Sequence, residues 1–303
     1  MIANFYLIPA SFERNNELSD YEIEEKIKAL HLDFIKIKKY KDKNKFFIHS
    51  DIYSVIFIKN ITISDFLFNC KTENKYIDTD VKRALQKIIL ESAVDEITVD
   101  EIVEVLLPNH NNENCYGLIA FNVLENIDNE YQIVYNLNDW YAFRRKFLGM
   151  YPKNGDFFID ECKIYFPKLF FHERNKTTVL DIMKECSKKI VFHLSALNDK
   201  LNDSVYLNTN RYEMLKHFSI SAKLDADATL EGNAENKDNF TFDFLNDSGF
   251  PEKVCCEPHL KLCFNDNYPG DSHYSNDRRI YFHEGKPNIQ NGKILIGHIG
   301  KHL

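Results

Sequence analysis

The stretch KILIGHIGKHL, residues 293–303, determines the fold class that this sequence predicts. Between Lys293 and Ile299 it is apolar on both faces, and a strand of that kind belongs in the interior of a sheet. The loop before it ends in Asn291-Gly292, a dipeptide that favours a tight turn from an earlier strand. The stretch therefore predicts a central strand reached through a turn.

Two earlier stretches, CEPHLKLCF (256–264) and RIYFH (279–283), alternate polar with apolar residues. Successive side chains of a strand point to opposite faces, so each stretch offers one apolar face and one functional face. Together the three stretches predict an antiparallel sheet that gathers polar side chains on one surface. The predicted catalytic residues are His259, Lys261, Arg279, Tyr281 and His283 on that surface, with His298, Lys301 and His302 at its edge.

The composition, 44% hydrophobic and 14% aromatic over 303 residues, indicates a folded globular protein large enough for two domains. Strands and helices alternate irregularly before the C-terminal stretches. The predicted fold class is α+β, with a mixed α+β body at residues 1–205 and a β-rich unit at residues 206–303. The polar, Asn-rich segment 197–210 suggests the boundary between them.

Local patterns predict the elements of the body. Strands are expected at NFYLIPA (4–10), in a hairpin around Ser50-Asp51, and at the aromatic GDFFIDECKIYF (155–166). Helices are expected at residues 78–93, where the apolar positions Val81, Leu85, Ile88 and Ile89 share one face, and at residues 177–201.

Several functional classes are disfavoured by composition. No apolar run approaches the roughly 20 residues that span a bilayer, and no basic region precedes the short apolar N-terminal stretch. Seven cysteines without a regular framework indicate reduced thiols. The sequence thus predicts a cytoplasmic protein without membrane contact. A net charge of −8 argues against general coating of nucleic acid, although residues 253–303 carry a local charge of +2 that favours phosphate.

Histidine carries the functional prediction, because five of the eleven fall in the last 45 residues. RNA can be cut without metal or other cofactor when a protein supplies a general base, a general acid and cations for the phosphorane charge. The roles expected are His259 or His283 as base, His298 or His302 as acid, Lys261, Arg279 and Lys301 as phosphate ligands, and Tyr281 as a stacking or hydrogen-bonding group.

A strand of the RIYFH type, a turn, and a KILIGHIGKHL-type strand with basic residues near its end resemble the RelE/ParE and colicin-type toxin ribonucleases. The resemblance covers about residues 253–303. Arg279 matches the arginine of the family's penultimate strand, while His298, Lys301 and His302 match its basic C-terminal end. The resemblance implies one or two helices packed on a small antiparallel sheet and an RNA substrate such as mRNA or tRNA. An antitoxin or a phage-defence partner protein would accompany such an effector.

This sequence departs from the toxin pattern in two ways. A helical pair is not evident between residues 206 and 256, and the body is far larger than a stand-alone toxin. A non-enzymatic regulatory subunit, whose basic edge docks RNA or a protein, is therefore a second hypothesis from the same residues.

Metal-dependent and other nuclease patterns also occur. Glu161-Cys-Lys163 has the E-x-K form of a PD-(D/E)xK nuclease strand, with Asp156 or Asp139 as the second carboxylate for Mg²⁺. Arg211 and His217 have the spacing of the HEPN ribonuclease motif, although Tyr212 departs from it. A zinc site could combine His259 and Cys263 with Cys255 or Cys256, but no paired CxxC or HxxxH spacing accompanies them.

Overall fold

The computed structural model describes residues 1–13, 15–69, 77–124, 127, 130–207, 210–231, 234–263 and 274–303. The chain divides into two compact units, residues 1–143 and 144–303. The boundary that the sequence suggests, after residue 205, lies instead within a helix that runs Leu180–Leu207. The predicted α+β fold class is confirmed, since helices and strands mix along the chain and an antiparallel sheet lies near its C-terminal end.

Unit 1 is built on a five-stranded sheet in which every neighbouring pair is parallel. Its strands are β1 (Ile2–Leu7), β2 (Asn44–Ile48), β5 (Ala93–Val94), β6 (Asn114–Ile119) and β7 (Ile133–Val134), in the order β5-β2-β1-β6-β7. The chain moves outward from β1 on one side and then returns to build the other side, which is the order of a doubly wound sheet. The first predicted strand is therefore confirmed, and it is central.

Five helices and a small hairpin complete unit 1 or begin within it. They are α1 (Asp20–Lys38), α2 (Ile63–Phe68), α3 (Thr79–Leu90), α4 (Val99–Glu101, continued by a π-helical turn Ile102–Leu106), α5 (Leu137–Met150), and the hairpin strands β3 (Ile56–Ile58) and β4 (Ile61–Thr62). Helix α1 begins with a capping box of Ser19 and Glu22, which satisfies two backbone donors. Helix α3 begins at the Asp78 cap and buries the predicted apolar stripe, so this prediction is confirmed.

The predicted hairpin around Ser50-Asp51 is wrong. These residues form the 3₁₀ turn Ser50–Ser54, in which the His49 side chain accepts a hydrogen bond from the Asp51 backbone N–H. The strands on either side of the turn do not pair with each other: β2 joins the parallel sheet and β3 pairs with β4. Two adjacent strand-like runs suggested a hairpin, but the partner of β2 is β1, about 40 residues earlier in the chain.

Unit 2 contains a four-stranded sheet, a separate two-stranded hairpin and helices. The strands are β8 (Leu169–Phe171), β9 (Thr241–Leu245), β10 (Pro251–Cys255), β11 (His259–Cys263), β12 (Tyr274–His283) and β13 (Ile294–Lys301); the helices are α6 (Gly155–Tyr165), α7 (Asn175–Thr178), α8 (Leu180–Leu207) and α9 (Arg211–Ser221). The sheet order is β11-β12-β13-β8, with β13 antiparallel to β12 and parallel to β8.

The predicted central strand is confirmed, because residues 294–300 of β13 are all buried. Helix α8 contacts β11 and β13. The hairpin of β9 and β10 supplies a second hydrophobic layer, in which Phe240, Phe242 and Phe244 cluster with Tyr281 and Leu295. The sheet is therefore packed against apolar side chains from both a helix and a hairpin.

The strand predicted at residues 155–166 is instead helix α6. Asn154 caps it by accepting a hydrogen bond from the Phe157 backbone N–H. Phe158, Cys162 and Tyr165 recur at spacings of three and four residues and are all buried, which is the helical period. A dense aromatic run hides that period, because nearly every position looks apolar enough for a buried strand.

Strand β13 carries one extra residue opposite β12. Tyr281 pairs with His298 and Phe282 pairs with Ile296, so Gly297 is left over as a bulge. A Cβ atom at Gly297 would overlap the Phe242 ring and lie 2.9 Å from Cys256 Sγ. A glycine is needed here because the hairpin core approaches the strand backbone closely.

We expect Gly297→Ala to lower the free energy of unfolding by about 1–3 kcal/mol, the usual result of overpacking a core. Urea unfolding monitored by circular dichroism measures the change. Phe242→Leu in the same chain removes part of the overlap, so the double variant should lose less than the sum of the two single losses. Additive losses would show that the two side chains do not compete for this space.

Candidate functional site

The register of unit 2 places the predicted residues in two adjacent rows. His259 on β11 faces Tyr281 on β12, which faces His298 on β13. In the next row Lys261 faces Arg279, which faces Gly300. Residues directly opposite in an antiparallel pair project on the same side of the sheet. The ring centroid of Tyr281 lies 5.4 Å from that of His259 and 6.0 Å from that of His298.

A carboxylate that the sequence analysis did not identify joins this group. The Tyr281 hydroxyl donates to Glu231 Oε1 at 3.0 Å, and the same oxygen lies 3.3 Å from His259 Nδ1 and 3.4 Å from His302 Nε2. The His259 contact is an ion-pair distance without hydrogen-bond alignment, because its Nδ1 has no hydrogen-bond partner among the described residues. We call Glu231, His259, Tyr281 and His302 the Glu231 cluster.

Backbone pairing carries Glu231 to this position. Thr229, two residues earlier, forms an isolated antiparallel bridge with His259, and the two backbones exchange both hydrogen bonds. The Thr229 hydroxyl also lies 3.0 Å from His259 Nε2. No local motif marks Glu231 in the sequence; only this pairing with β11 brings it to the site.

Most of the predicted residues in the two rows are buried. His259, Arg279, Tyr281 and His298 are each at most 5% exposed. Burial lowers the pKa of His259 and of His298 to about 4, and for His259 the Glu231 carboxylate opposes the shift. Burial, followed by Glu231, raises the pKa of Tyr281. Both imidazoles are therefore neutral at neutral pH and shielded from a large substrate.

His302 is the reachable imidazole of the cluster. Its side chain is 41% exposed, and its Nε2 faces Glu231, whose side chain is 17% exposed. Glu231 Oε1 thus lies at ion-pair distance from Nε2, while Nδ1 is on the other side of the ring. We call His302 and Glu231 the open edge of the cluster.

Five of the eight predicted residues lie outside the Glu231 cluster: Lys261 and Arg279 in the second row, and Lys301, His283 and His298. Lys301 is opposite Arg278 and therefore on the other side of the sheet from Arg279. His283 accepts a hydrogen bond from the Gly285 backbone N–H, next to an ion pair of Arg211 and Glu284. His298, predicted at the edge, is buried within β13, where its Nε2 lies 2.8 Å from the Lys301 carbonyl oxygen.

A cleft of about 370 Å³ adjoins the cluster through Thr229. Its other walls come from helix α9 and from the segment that leads to Glu231. Tyr212 contributes a ring that is 69% exposed, and Lys216 contributes an exposed ammonium group. The cleft thus presents an aromatic face, a cation and the exposed carboxylate of Asp227 next to the residue that holds His259.

The metal-dependent nuclease prediction at Glu161 and Lys163 is wrong in its structural basis, because both residues lie on helix α6 and not on a strand. Glu161 is buried, where it accepts a hydrogen bond from the Tyr165 hydroxyl at 2.7 Å. Lys163 pairs with Glu173, and the proposed second carboxylate Asp156 lies 3.7 Å from Lys176 Nζ. The other candidate, Asp139, accepts the Tyr135 backbone N–H in unit 1.

The HEPN-like pair is likewise not assembled as predicted. Arg211 pairs with Glu284 at 2.7 Å, whereas His217 Nδ1 lies 2.8 Å from Ser204 Oγ on helix α8. In the part of the chain that the structure describes, no group of three or more His, Cys, Asp or Glu side chains is arranged to hold a metal ion. The side chain of Cys263 lies outside the described residues.

In comparisons with known proteins, no family model, no curated protein and no solved structure matches the chain. Among the described residues, no helix is both long enough and apolar enough to cross a membrane.

The buried imidazoles predict how stability depends on pH. His193, His259 and His298 have folded pKa values of about 4 against an ordinary value of 6.5, so the unfolded chain binds more protons between these limits. Proton binding by these rings has no effect on stability above pH 6.5. As the pH falls from 6.5 toward 4, preferential protonation of the unfolded chain lowers the free energy of unfolding. Each ring contributes up to about 1.4 kcal/mol per pH unit.

Urea titrations at several pH values test this dependence. We expect His298→Asn to give a shallower loss of stability below pH 6.5 than the unaltered protein. Phe244→Leu, a core change in the same unit that removes no titratable group, should leave the slope unchanged. Equal slopes for His298→Asn and the unaltered protein would contradict the assignment of His298 as a buried neutral ring.

Proposed function

We propose that unit 2 is a metal-independent endoribonuclease that acts at the open edge of the Glu231 cluster. The observation that supports this proposal is the 3.4 Å contact between Glu231 Oε1 and the nitrogen Nε2 of His302, a ring that is 41% exposed. A carboxylate that orients a solvent-reachable imidazole is the arrangement used by general bases. His259 and His298 then act as buried supports and not as the base and acid.

Nε2 of His302 faces Glu231, so the proposed reaction uses the other ring nitrogen, Nδ1. Its Nδ1 removes the proton from a ribose 2′-hydroxyl, and the 2′-oxygen forms a bond to the adjacent phosphorus. The bond from phosphorus to the 5′-oxygen breaks, and the proton passes from His302 to that leaving oxygen. The products are a 2′,3′-cyclic phosphate and a free 5′-hydroxyl. Lys261, half-buried in the row beside Gly300, favours the negative charge of the pentacoordinate intermediate, and the buried guanidinium of Arg279 adds positive potential without contacting the phosphate.

The cleft beside Thr229 suits an unpaired nucleotide. A base can stack on the exposed Tyr212 ring, and Lys216 can contact a phosphate. Single-stranded RNA, such as an mRNA segment or a tRNA loop, is therefore the substrate class that we propose. The resemblance to the RelE/ParE and colicin-type ribonucleases supports a toxin or phage-defence effector, and an antitoxin or defence-system protein as its partner.

A second candidate is a regulatory subunit that binds RNA or a protein without cutting it. Burial of His259, Arg279 and His298 favours this alternative, because a substrate cannot reach them in the described conformation. The two candidates differ in whether His302 transfers a proton.

We expect the protein to cleave single-stranded RNA in the presence of EDTA, and His302→Ala to slow cleavage by about 100-fold or more, the usual contribution of a general base. Denaturing gels with end-labelled RNA measure the rate, and added imidazole should restore part of it. The control His217→Ala removes an exposed imidazole outside the site.

Three outcomes decide between the candidates. Cleavage that EDTA abolishes, or that His302→Ala retains, contradicts the proposed mechanism. Binding without cleavage supports the regulatory subunit. Absence of both contradicts an RNA function of this edge.

The cleft makes a separate prediction about binding. We expect Tyr212→Ala to weaken the affinity for single-stranded RNA by about tenfold, since stacking of one base on an aromatic ring contributes about 1–3 kcal/mol. Tyr206→Ala is the matched control, because that ring is 87% exposed on α8 and does not line the cleft. Fluorescence anisotropy with a labelled oligonucleotide measures both, and equal affinities would exclude the cleft as the base site.

A further inference from the structure

A second cleft lies in unit 1, at the carboxyl ends of its parallel strands. It has a volume of about 320 Å³ and is walled by the residues that end or follow β1, β2 and β5. Small-molecule sites in proteins usually measure about 300–1,000 Å³. In doubly wound sheets, ligands bind outside the carboxyl ends of the strands, beside the point where the strand order reverses. In unit 1 the order reverses between β1 and β6, and the cleft lies on the β2 side of that point, lined by Tyr6 and Leu7 of β1 and by Ile8 after it.

The walls combine an apolar surface with a few convergent polar groups. Ile8, Val55, Ile97, Val99 and Ile102 supply aliphatic side chains. This mixture is typical of sites for small organic ligands, in which apolar walls exclude water and polar groups fix the orientation.

Polar groups of the cleft contact one another on two sides. The Tyr6 hydroxyl donates to Asp95 Oδ2 at 3.4 Å. On the other side, His49 lies between two carboxylates, with Nδ1 3.3 Å from Asp51 Oδ2 and Nε2 3.2 Å from Glu96 Oε2. Both Asp51 and Asp95 line the cleft. A ligand would therefore meet one carboxylate that accepts a hydrogen bond, that of Asp95, and a second that is 75% exposed, that of Asp51.

The negative charge of the cleft walls favours a positively charged ligand. Glu13, Asp51 and Asp95 line the cleft, and no Lys or Arg is among the described lining residues. A cleft of one sign concentrates ligands of the opposite sign. A cationic head between Asp51 and Asp95, with an apolar body against the aliphatic wall, would satisfy both kinds of surface.

The turn after β1 argues against a nucleotide phosphate. In dinucleotide-binding sheets this turn is glycine-rich and leads into a helix whose backbone N–H groups hold the pyrophosphate. Here it reads Ile8-Pro9-Ala10, without glycine, and forms the short 3₁₀ helix Pro9–Phe12. Proline has no backbone N–H to offer. The order of the sheet is thus that of a nucleotide-binding fold, but its phosphate-binding turn is absent from this position.

We propose that the unit 1 cleft binds a small organic cation, an ammonium or guanidinium group on an apolar body, with Asp51 and Asp95 as its counter-ions. This site is independent of the ribonuclease proposal for unit 2. It gives unit 1 a function of its own, recognition of a small molecule.

Isothermal titration of the full chain at low ionic strength tests the proposal. The probes are tyramine, an aromatic ammonium; tyrosol, which has a neutral hydroxyl in place of the ammonium; agmatine, an aliphatic guanidinium; and ATP. We expect tyramine to bind at least about tenfold tighter than tyrosol, since a charged hydrogen bond discriminates by about that factor. ATP should not bind.

Two variants locate the binding. Asp95→Asn should reduce the affinity for tyramine to that for tyrosol, while Asp42→Asn, an exposed position outside the lining, makes the same charge change without effect. Ile97→Trp fills the cleft and should abolish binding of every probe. Thermal unfolding of each variant shows that it is folded.

Several results would overturn the proposal. These are equal affinities for tyramine and tyrosol, binding of ATP in preference to both cations, and binding that survives both Asp95→Asn and Ile97→Trp. Failure of both tyramine and agmatine to bind at millimolar concentration would also overturn it.

Discussion

The pairing of β13 with β12 on one side and with β8 on the other is the constraint on which unit 2 depends. Burial of an apolar strand on both faces is favourable only when its backbone groups are paired. β13 is paired with β12 from Leu295 to Lys301 and with β8 from Ile294 to Ile296. The same pairing lines up His298, Tyr281 and His259 across three strands. It also brings His302, which follows β13, to Glu231. The same strand pairing therefore forms both the core of unit 2 and the candidate site.

The side chains of the Glu231 cluster differ in solvent exposure, and their protonation depends on that exposure. One carboxylate oxygen faces a tyrosine hydroxyl and two imidazoles, and these partners range from fully buried to 41% exposed. Burial holds His259 neutral near neutral pH, whereas His302 remains in contact with solvent. In the proposed mechanism, the environment of each imidazole, and not its residue type, decides which ring supports the site and which ring transfers a proton.

Much of the fold could be predicted from the sequence wherever periodicity was clear. The apolar residues of α3 recur with the helical period of 3.6, and β13 is apolar on both faces. These patterns were sufficient to predict the helix and the buried strand, because each depends only on neighbouring residues. Helix α6 was not predictable, because its aromatic run obscures the period. Glu231 could not be predicted either, because it reaches the site through a bridge between Thr229 and His259, 30 residues apart. The parallel sheet of unit 1 likewise depends on pairings between distant segments.

The parallel pairing of β8 with β13 has a consequence for synthesis on the ribosome. Leu169 pairs with Ile294, so β8 emerges about 125 residues before the strand that completes it. At about 5–20 residues per second, that interval is on the order of ten seconds. During this time the apolar side chains of β8 and α8 have no sheet to cover them, and the nascent chain is exposed to aggregation. The late arrival of β13 therefore sets how long these apolar side chains stay exposed in the nascent chain.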